Sequence, residues 1–286
     1  FNSGYIANQS TLSVMGSLIP NAYFISDSMN HNSMIVGIKS SKCDKIVWNH
    51  NDLDQLKEIL SSLKDHQQPI IAMEGVYSMD GDRGLVSDVV DLARKYGAMV
   101  YVDEVHAVGL YGRRGAGIAE EQICVDGVDV IQGTLGKAFG IQGGYIAANR
   151  DLVDMVRSYA NGFIFSTSLS PVLCAGALAS VRYVQDHPEL RAKIFEVVQD
   201  TKEHLLRENF DILPGNTHII PLMIRNAKLC KQISDRLLDD FNIYLQPINN
   251  PTVPVGTERL RITPTPNHTE ALIYELVNAL KAIIQS

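Results

Sequence analysis

Gly133-Thr134-Leu135-Gly136-Lys137-Ala138-Phe139-Gly140 is the stretch that decides the fold of this chain. Upstream of it, Tyr101-Val102-Asp103-Glu104-Val105-His106 ends an apolar run rich in β-branched residues. Such a run predicts a buried parallel strand, and ligands bind at the carboxyl ends of parallel strands. A second apolar run, at residues 128–131, leads into the loop of Lys137. Small residues in that loop allow close backbone approach, and a lysine amine placed there can react with an aldehyde.

A phosphate-binding P-loop is the first alternative for Lys137. That motif needs a glycine, four residues, Gly-Lys and then Ser or Thr, but Ile131 and Ala138 occupy two of the required positions. Asp103 alone is typical of a helix cap, and His106 alone is typical of a structural histidine. The ordered combination of strand, Asp-x-x-His, second strand and glycine-spaced lysine favours a catalytic site over these alternatives.

A family resemblance covers nearly the whole chain. Residues 103–112 and 133–140 resemble the α-oxoamine synthase family of fold-type I pyridoxal phosphate enzymes, and residues 26–35, 76–81 and 249–261 agree with one branch of it. The resemblance implies pyridoxal 5'-phosphate as cofactor. It also implies an α/β fold-type I large domain with a mainly parallel sheet, followed by a smaller C-terminal α+β domain.

The flanks of the motifs resemble one branch of that family. This branch condenses glycine with succinyl-CoA to 5-aminolevulinate, CoA and CO2, the first step of tetrapyrrole biosynthesis. Sister enzymes that make 2-amino-3-ketobutyrate, 8-amino-7-oxononanoate or ketosphinganine share the Asp-x-x-His and the lysine, so a sister activity with another acyl-CoA is the alternative. A non-catalytic partner subunit is disfavoured because Lys137, Asp103 and His106 are all present.

The resemblance also implies roles in cofactor binding. Lys137 would bind the cofactor covalently and act as general base, Asp103 would pair with the ring nitrogen, and His106 would contact the phenolic oxygen. The remaining cofactor-binding candidates are His31 and Val105 on the two ring faces, Gly4, Tyr5 and Thr134 at the phosphate, Ser166 and Thr167 reaching the phosphate of a neighbouring subunit, and Ser78. Such sharing implies a homodimer with the active site at the subunit interface. The alternative for Ser166 and Thr167 is that they cap the helix predicted to begin at Pro171.

Substrate binding needs a guanidinium, because a carboxylate is held best by two parallel hydrogen bonds. The resemblance implies Arg261 for the glycine carboxylate. Arg259 is the competing candidate, and strand alternation predicts that both arginines lie on one face. Ser26, Thr252 and Ser78 resemble residues that line the substrate pocket. Lys45 either binds coenzyme A phosphates or is a solvated surface lysine.

Length and composition limit the remaining possibilities. The chain has 286 residues, 45% of them hydrophobic, which suits about two domains at ~150 residues each. We place them at residues 1–180 and 181–286. A net charge of −7 and the lack of a basic stripe argue against nucleic acid, and no apolar run approaches the ~20 residues that span a bilayer. Four widely spaced cysteines without C-x-x-C predict neither a metal site nor disulfides.

The first residues of the chain, Phe1-Asn2-Ser3-Gly4-Tyr5, resemble the interior of a functional loop. We therefore expect a longer protein, with further substrate contacts before Phe1. Members of the family work in bacterial cytoplasm or in the mitochondrial matrix, and the compact connection at residues 121–129 favours a bacterial source.

Overall fold

The computed structural model describes residues 1–284, which divide into two compact units. The first unit comprises Phe1–Tyr77 and Arg83–His187, and the second comprises Ser78–Asp82 and the chain from Pro188 onward. The boundary predicted at residues 180/181 falls inside the helix Pro171–Asp186, which belongs to the first unit. That helix continues to Asp186 because no stop signal precedes Pro188, which disfavours helical geometry at the residue before it.

The first unit alternates strands and helices. Its elements, in chain order, are α1 (Gly4–Leu18), β1 (Ala22–Asp27), α2 (Asn32–Ser41), β2 (Asp44–Trp48), α3 (Leu53–Ser62), β3 (Gln68–Glu74), α4 (Val86–Tyr96), β4 (Met99–Asp103), α5 (Ile118–Glu121), β5 (Val130–Thr134), β6 (Gly144–Ala148), α6 (Arg150–Tyr159), α7 (Asn161–Ile164) and α8 (Pro171–Asp186). The strands form one sheet in the order β2-β1-β3-β4-β5-β6. β1 to β5 are parallel and β6 is antiparallel to β5, which confirms the predicted α/β class with a mainly parallel sheet.

Local sequence explains why these elements form. β3 is a nearly continuous apolar run, buried along its length as expected for a strand covered on both faces. α4 buries Val86, Val89, Val90 and Ala93, which recur at helical spacing. It ends at Gly97, which adopts φ 63° and donates its N–H to the Ala93 carbonyl.

The second unit is a smaller α+β assembly. Its elements are α9 (Pro188–Arg207), β7 (Ile220–Met223), α10 (Ala227–Phe241), β8 (Gln246–Ile248), β9 (Arg259–Ile262) and α11 (Glu270–Ile284). β9 lies between β7 and β8 and is antiparallel to both. In neither unit does a described helix combine the length and apolar character needed to cross a bilayer.

Candidate active site

The first unit places polar side chains at the carboxyl edge of its parallel sheet. β1, β3, β4 and β5 end at Asp27, Glu74, Asp103 and Thr134. The neighbouring strands are in register there, with Glu74 opposite Asp103. Open parallel sheets bind their ligands at this edge. Two residues singled out from the sequence, Asp103 and Thr134, therefore lie where a ligand site is expected.

Asp103 is a buried carboxylate held by two donors. Its Oδ2 accepts a hydrogen bond from Asn8 Nδ2 at 2.6 Å, and its Oδ1 accepts one from the Val105 amide at 2.8 Å. The Tyr101 hydroxyl donates to Asn8 Oδ1 at 2.7 Å, which directs the Asn8 NH2 group toward the carboxylate. Burial raises the pKa of Asp103, and the bonds from Asn8 and Val105 oppose that rise by stabilising the charged form. The carboxylate is thus oriented to pair with a cationic group of a ligand.

Asn8 is a candidate site residue that the sequence analysis missed. It is 1% exposed, lies in α1, and also donates to Ser33 Oγ at 3.0 Å. Its helix face also carries the buried Thr11, Leu12 and Met15. A polar amide on a buried helix face must find hydrogen-bond partners. This need for partners is the signal in the sequence that pointed to Asn8, but it does not identify the group to which the amide is bonded.

Lys137 and His106 are in direct contact. Lys137 Nζ lies 2.9 Å from His106 Nε2, a distance over which a proton can move between them. The approach depends on Gly109, which has φ +85° and whose Cβ, if present, would lie 2.5 Å from Ala138 Cβ. Glycine therefore lets the turn that carries His106 pack against the lysine loop. The structure brings together two residues that come from separate motifs.

His31 is the N-cap residue of α2. Its Nδ1 lies 2.7 Å from Ser33 Oγ, and its backbone N–H donates to Glu74 Oε1 at 2.6 Å. The imidazole also meets the Tyr5 ring edge to face, with centroids 6.2 Å apart. Glu74, which accepts the bond from the His31 N–H, is buried. Burial, and after it the charge of Asp103, raises the pKa of Glu74 well above its usual range. The ring of His31 is thus oriented by Ser33 and Tyr5, and its stacking role stays a prediction.

The amino terminus of α1 lies against Thr134. A Cβ added to Gly4 would be 3.2 Å from Thr134 Cβ, so the backbone of the first helical turn closely approaches this hydroxyl residue. Ser3 caps the helix by accepting from the Ile6 amide at 3.2 Å. The helix dipole and the amides of Gly4 and Tyr5 favour an anion at this point. Thr134 Oγ1 itself accepts from the Gly136 amide at 3.1 Å, which links it to the lysine loop.

Ser166 and Thr167 contact the segment that precedes α1. Asn2 Nδ2 donates to Ser166 Oγ at 2.7 Å and to the Thr167 carbonyl at 3.0 Å. The alternative that these hydroxyls cap α8 is wrong, because Ser170 is the N-cap residue and accepts from the Leu173 amide at 3.4 Å. Both residues are exposed in the described chain.

The residues of the first unit fit pyridoxal phosphate. The cofactor presents an aldehyde, a ring nitrogen and a phosphate. The Lys137 amine suits the aldehyde, the buried Asp103 carboxylate suits a protonated ring nitrogen, and the amino terminus of α1 beside Thr134 suits the phosphate. These groups are carried by adjoining elements, since α1 lies against the end of β5 and Asn8 of the same helix holds Asp103.

Three other candidates of the first unit differ in exposure. Val105 is half-buried, and its amide is committed to Asp103. Ser26 is buried and accepts from Asn30 Nδ2 at 3.0 Å. Lys45 is exposed as the second residue of the edge strand β2, toward the end opposite the carboxyl edge. Its part in binding coenzyme A stays a prediction.

The second unit holds Arg261, Ser78 and Thr252. Arg261 Nη1 donates to the Ser78 carbonyl at 3.1 Å, and burial lowers the pKa of this guanidinium. Thr252 is exposed in a turn, with its amide donating to the Asn249 carbonyl at 2.9 Å. Arg259 and Arg261 both reach residues 78–80, as expected for side chains on one face of β9. Arg259 is ion-paired with Asp80, whereas no carboxylate of the described residues pairs with Arg261, which favours Arg261 as the anion-binding residue.

Glu104, which follows Asp103, is a buried acid with a structural task. Its Oε2 accepts from the Ile118 amide at 3.0 Å and its Oε1 from the Ala119 amide at 2.8 Å, so it caps the start of α5. A Cβ at Gly117, which has φ +118°, would lie 2.5 Å from the Glu104 carboxyl carbon. Burial is the main cause that raises the pKa of Glu104 to about 7.

Glu104→Gln is expected to flatten the pH dependence of stability. Because the folded pKa of about 7 exceeds the reference value of 4.5, the stabilisation by the Glu104 proton is complete below the unfolded pKa and is lost as pH rises through the folded pKa. Between about pH 5 and about pH 8 the wild-type free energy of unfolding should fall by on the order of 2 kcal/mol more than that of the variant. Urea unfolding at both pH values measures this. The exposed Glu58→Gln serves as control, and equal pH slopes for wild type and Glu104→Gln would contradict the assignment.

Comparison with known proteins gives a consistent picture. The family model described as aminotransferase class I and II matches residues 1–280. The chain is 50% identical over 285 residues to 5-aminolevulinate synthase 1 of Cereibacter sphaeroides, covering 100% of this chain and 70% of that protein. It is 51% identical over 285 residues to the mitochondrial 5-aminolevulinate synthase of Schizosaccharomyces pombe, covering 99% of this chain and 51% of that protein.

Solved structures agree with the fold. A serine palmitoyltransferase from S. paucimobilis, solved with PLP and myriocin, has a TM-score of 0.93 and 28% identity. The match covers 100% of this chain and 71% of that structure. Sequence identity to the two 5-aminolevulinate synthases, 50% and 51%, is thus far higher than the 28% identity to the serine palmitoyltransferase.

Proposed function

The chain belongs to the class I and II aminotransferase family and, within it, to the 5-aminolevulinate synthases, and we propose that it condenses glycine with succinyl-CoA. The products are 5-aminolevulinate, CoA and CO2, and the cofactor is pyridoxal phosphate. One C–C bond forms, between the glycine α-carbon and the thioester carbonyl. The thioester C–S bond and the bond between the glycine α-carbon and its carboxylate carbon break, and one proton is taken up overall.

The contact between Lys137 and His106 beside the buried Asp103 is the observation that carries this proposal. When bound, pyridoxal phosphate supplies an electron sink that allows an amino acid α-carbon to lose a proton and become a nucleophile. Lys137 anchors the cofactor and moves the α-proton on its Nζ. Asp103 holds the proton of the ring nitrogen, and His106 orients the lysine amine.

Arg261 and the amino terminus of α1 bind the two anionic groups. The Arg261 guanidinium, half-buried and without a carboxylate partner among the described residues, binds the glycine carboxylate. Gly4, Tyr5 and Thr134 bind the cofactor phosphate through the helix amides and the hydroxyl. Ser26, Ser78 and Thr252 line the substrate pocket, and Lys45 meets the phosphates of coenzyme A.

The test is an aminolevulinate assay on the purified protein with pyridoxal phosphate and glycine. Succinyl-CoA, acetyl-CoA and pimeloyl-CoA are supplied in parallel. We expect product from succinyl-CoA at a rate far above the other two. Preference for another acyl-CoA would assign a sister activity, and no glycine-dependent release of CoA from any of them would contradict the proposal.

A homodimer is part of the proposal, and α8 supports it. This helix has many apolar side chains but no buried residue in the described chain. Val172, Leu178 and Tyr183 are 79%, 52% and 56% exposed, and Phe165 shortly before the helix is 82% exposed. Such a patch is typical of a surface covered by a partner. A second copy would also bring Ser166 and Thr167 toward the phosphate of its neighbour.

Val172→Asp is therefore expected to shift the protein from dimer to monomer, because it places a charge in an apolar interface. Sedimentation velocity measures the change. Val255→Asp is the matched control, since Val255 is also 79% exposed but lies in the second unit. A wild-type protein that sediments as a monomer, or a dimer unaffected by Val172→Asp, would contradict this interface.

The compartment follows from the proposed activity only in part. Relatives occur in bacteria and in mitochondria. We propose bacterial cytoplasm or mitochondrial matrix, the former being favoured by the compact connection at residues 121–129.

A further inference from the structure

Ser78–Asp82 belongs to the second unit although its neighbours in sequence, Tyr77 and Arg83, belong to the first. We call this segment the 78–82 strap. It contains no helix or strand. A segment without regular structure is held in one conformation only by its contacts, because ordering its backbone costs conformational entropy.

Arg259 makes the main polar contacts to the strap. Its Nη1 donates to the Met79 carbonyl at 3.1 Å and forms an ion pair with the Asp80 carboxylate. Its Nε donates to the Thr257 carbonyl at 2.8 Å. The Arg259 side chain is 5% exposed, while that of Asp80 is 35% exposed. The guanidinium is thus committed to the protein, which makes Arg259 unsuitable as a substrate ligand.

Gly81 fixes the far end of the strap. The Thr217 hydroxyl donates to the Gly81 carbonyl. Gly81 adopts φ +69°, and a Cβ there would lie 2.7 Å from the Ile219 carbonyl oxygen. The strap therefore runs in close contact with the segment that enters β7, and a side chain at residue 81 would displace it.

Arg261 contacts the first residue of the same strap. Among the described residues, its side chain donates from Nη1 to the Ser78 carbonyl at 3.1 Å. A carbonyl neutralises no charge, so the Arg261 guanidinium keeps donors for a bidentate bond to a carboxylate. The strap thus lies between a committed arginine and an arginine that can bind an anion.

We propose that Arg259 is a positioning residue: through Asp80 and Met79 it fixes the strap, and the Ser78 carbonyl then orients Arg261 for the substrate carboxylate. This inference rests on the proposed function, in which Arg261 binds glycine. It assigns different tasks to two arginines that lie two residues apart on one strand. Arg259 acts through the strap, and Arg261 touches the substrate.

Asp80→Asn is the test, because Asp80 is partly exposed and its replacement is small. We expect the KM for glycine to rise about fivefold to tenfold with kcat within about twofold, as for lost orientation of a ground-state ligand. Asp80→Glu should restore most of the glycine affinity. Arg225→Met is the matched control, since Arg225 pairs with Asp211 in the same unit without touching the strap.

Amide hydrogen exchange gives a second measurement that does not require activity. In the cofactor-free Asp80→Asn protein, residues 79–82 should exchange about tenfold faster than in wild type, with no such change in Arg225→Met. An active wild-type protein whose glycine KM is unaltered by Asp80→Asn overturns this inference alone, as does an equal rise in Arg225→Met. A wild-type protein without glycine-dependent turnover overturns the proposed function instead.

Discussion

Lys137→Ala is expected to abolish synthesis of 5-aminolevulinate. The amine is proposed both to anchor the cofactor and to move the α-proton of glycine, and its Nζ lies 2.9 Å from His106 Nε2. Loss of a positioned general base alone costs about 10²–10⁴-fold in rate, so we expect kcat to fall by at least about 10³-fold. The fold should survive, because the Lys137 side chain is exposed rather than part of the core.

Two measurements separate the roles of Lys137. Turnover is assayed with glycine and succinyl-CoA, and covalent attachment is assayed by borohydride reduction followed by intact mass. Wild type should gain the mass of the reduced cofactor, and Lys137→Ala should not. Lys137→Arg keeps the positive charge without a reactive amine, and it should fail in both assays.

Lys228→Ala is the control, because Lys228 is an exposed lysine of α10 in the second unit. It should match wild type in both assays. Substantial turnover by purified Lys137→Ala would show that another group moves the proton, and the assignment of the lysine loop would be wrong.

The sequence predicted the parallel part of the fold well. β3 and β4 are short apolar runs, and α4 has both helical spacing and a glycine stop at Gly97, so local signals agree with the tertiary structure. The edge strand β2 was not predicted. Its residues Asp44, Lys45 and Val47 are exposed, so it lacks the apolar pattern of a buried strand.

The candidate site was predictable where a motif contains the reacting group. Asp103, His106 and Lys137 lie in such motifs, and the structure places them at one sheet edge. Asn8 was missed because its importance depends on a contact 95 residues away in sequence. Local sequence contains no information on such a partner.

The competing arginines show the same limit. Strand alternation correctly predicted that Arg259 and Arg261 lie on one face, but both carry the same guanidinium. What distinguishes them is the carboxylate of Asp80, which lies about 180 residues earlier in the chain and pairs with Arg259. Only the fold shows that Arg259 is the arginine with a carboxylate partner.

Asp103→Asn is expected to weaken cofactor binding and to lower kcat by about 10²-fold or more. An amide cannot hold the proton of the ring nitrogen as a carboxylate does, so the cofactor loses both an ion pair and its capacity as an electron sink. Equilibrium dialysis of pyridoxal phosphate measures affinity, and the aminolevulinate assay measures turnover. Asp126→Asn, at an exposed aspartate of the first unit, is the control and should match wild type.

The same substitution should stabilise the cofactor-free protein at neutral pH. Burial raises the pKa of Asp103 above 3.8, so its stabilising proton is retained at low pH and lost as pH rises through the folded value. Above that value the wild-type protein keeps a buried charge whose desolvation is only partly offset by Asn8 and Val105. Asparagine removes the charge. Its amide can remain fully bonded if the Asn8 side chain rotates by 180° and the Tyr101 hydroxyl becomes an acceptor.

Opposite changes in stability and function would identify Asp103 as a residue kept for chemistry. Neutralising a purely structural carboxylate would lower the free energy of unfolding. Neutralising a site carboxylate instead raises the free energy of unfolding and lowers the affinity for the ligand. Urea unfolding of cofactor-free wild type and Asp103→Asn at about pH 8 distinguishes the two cases. Normal cofactor affinity together with reduced stability in Asp103→Asn would show that the ring nitrogen pairs with another carboxylate, for which the buried Glu74 in the adjacent strand is the first candidate.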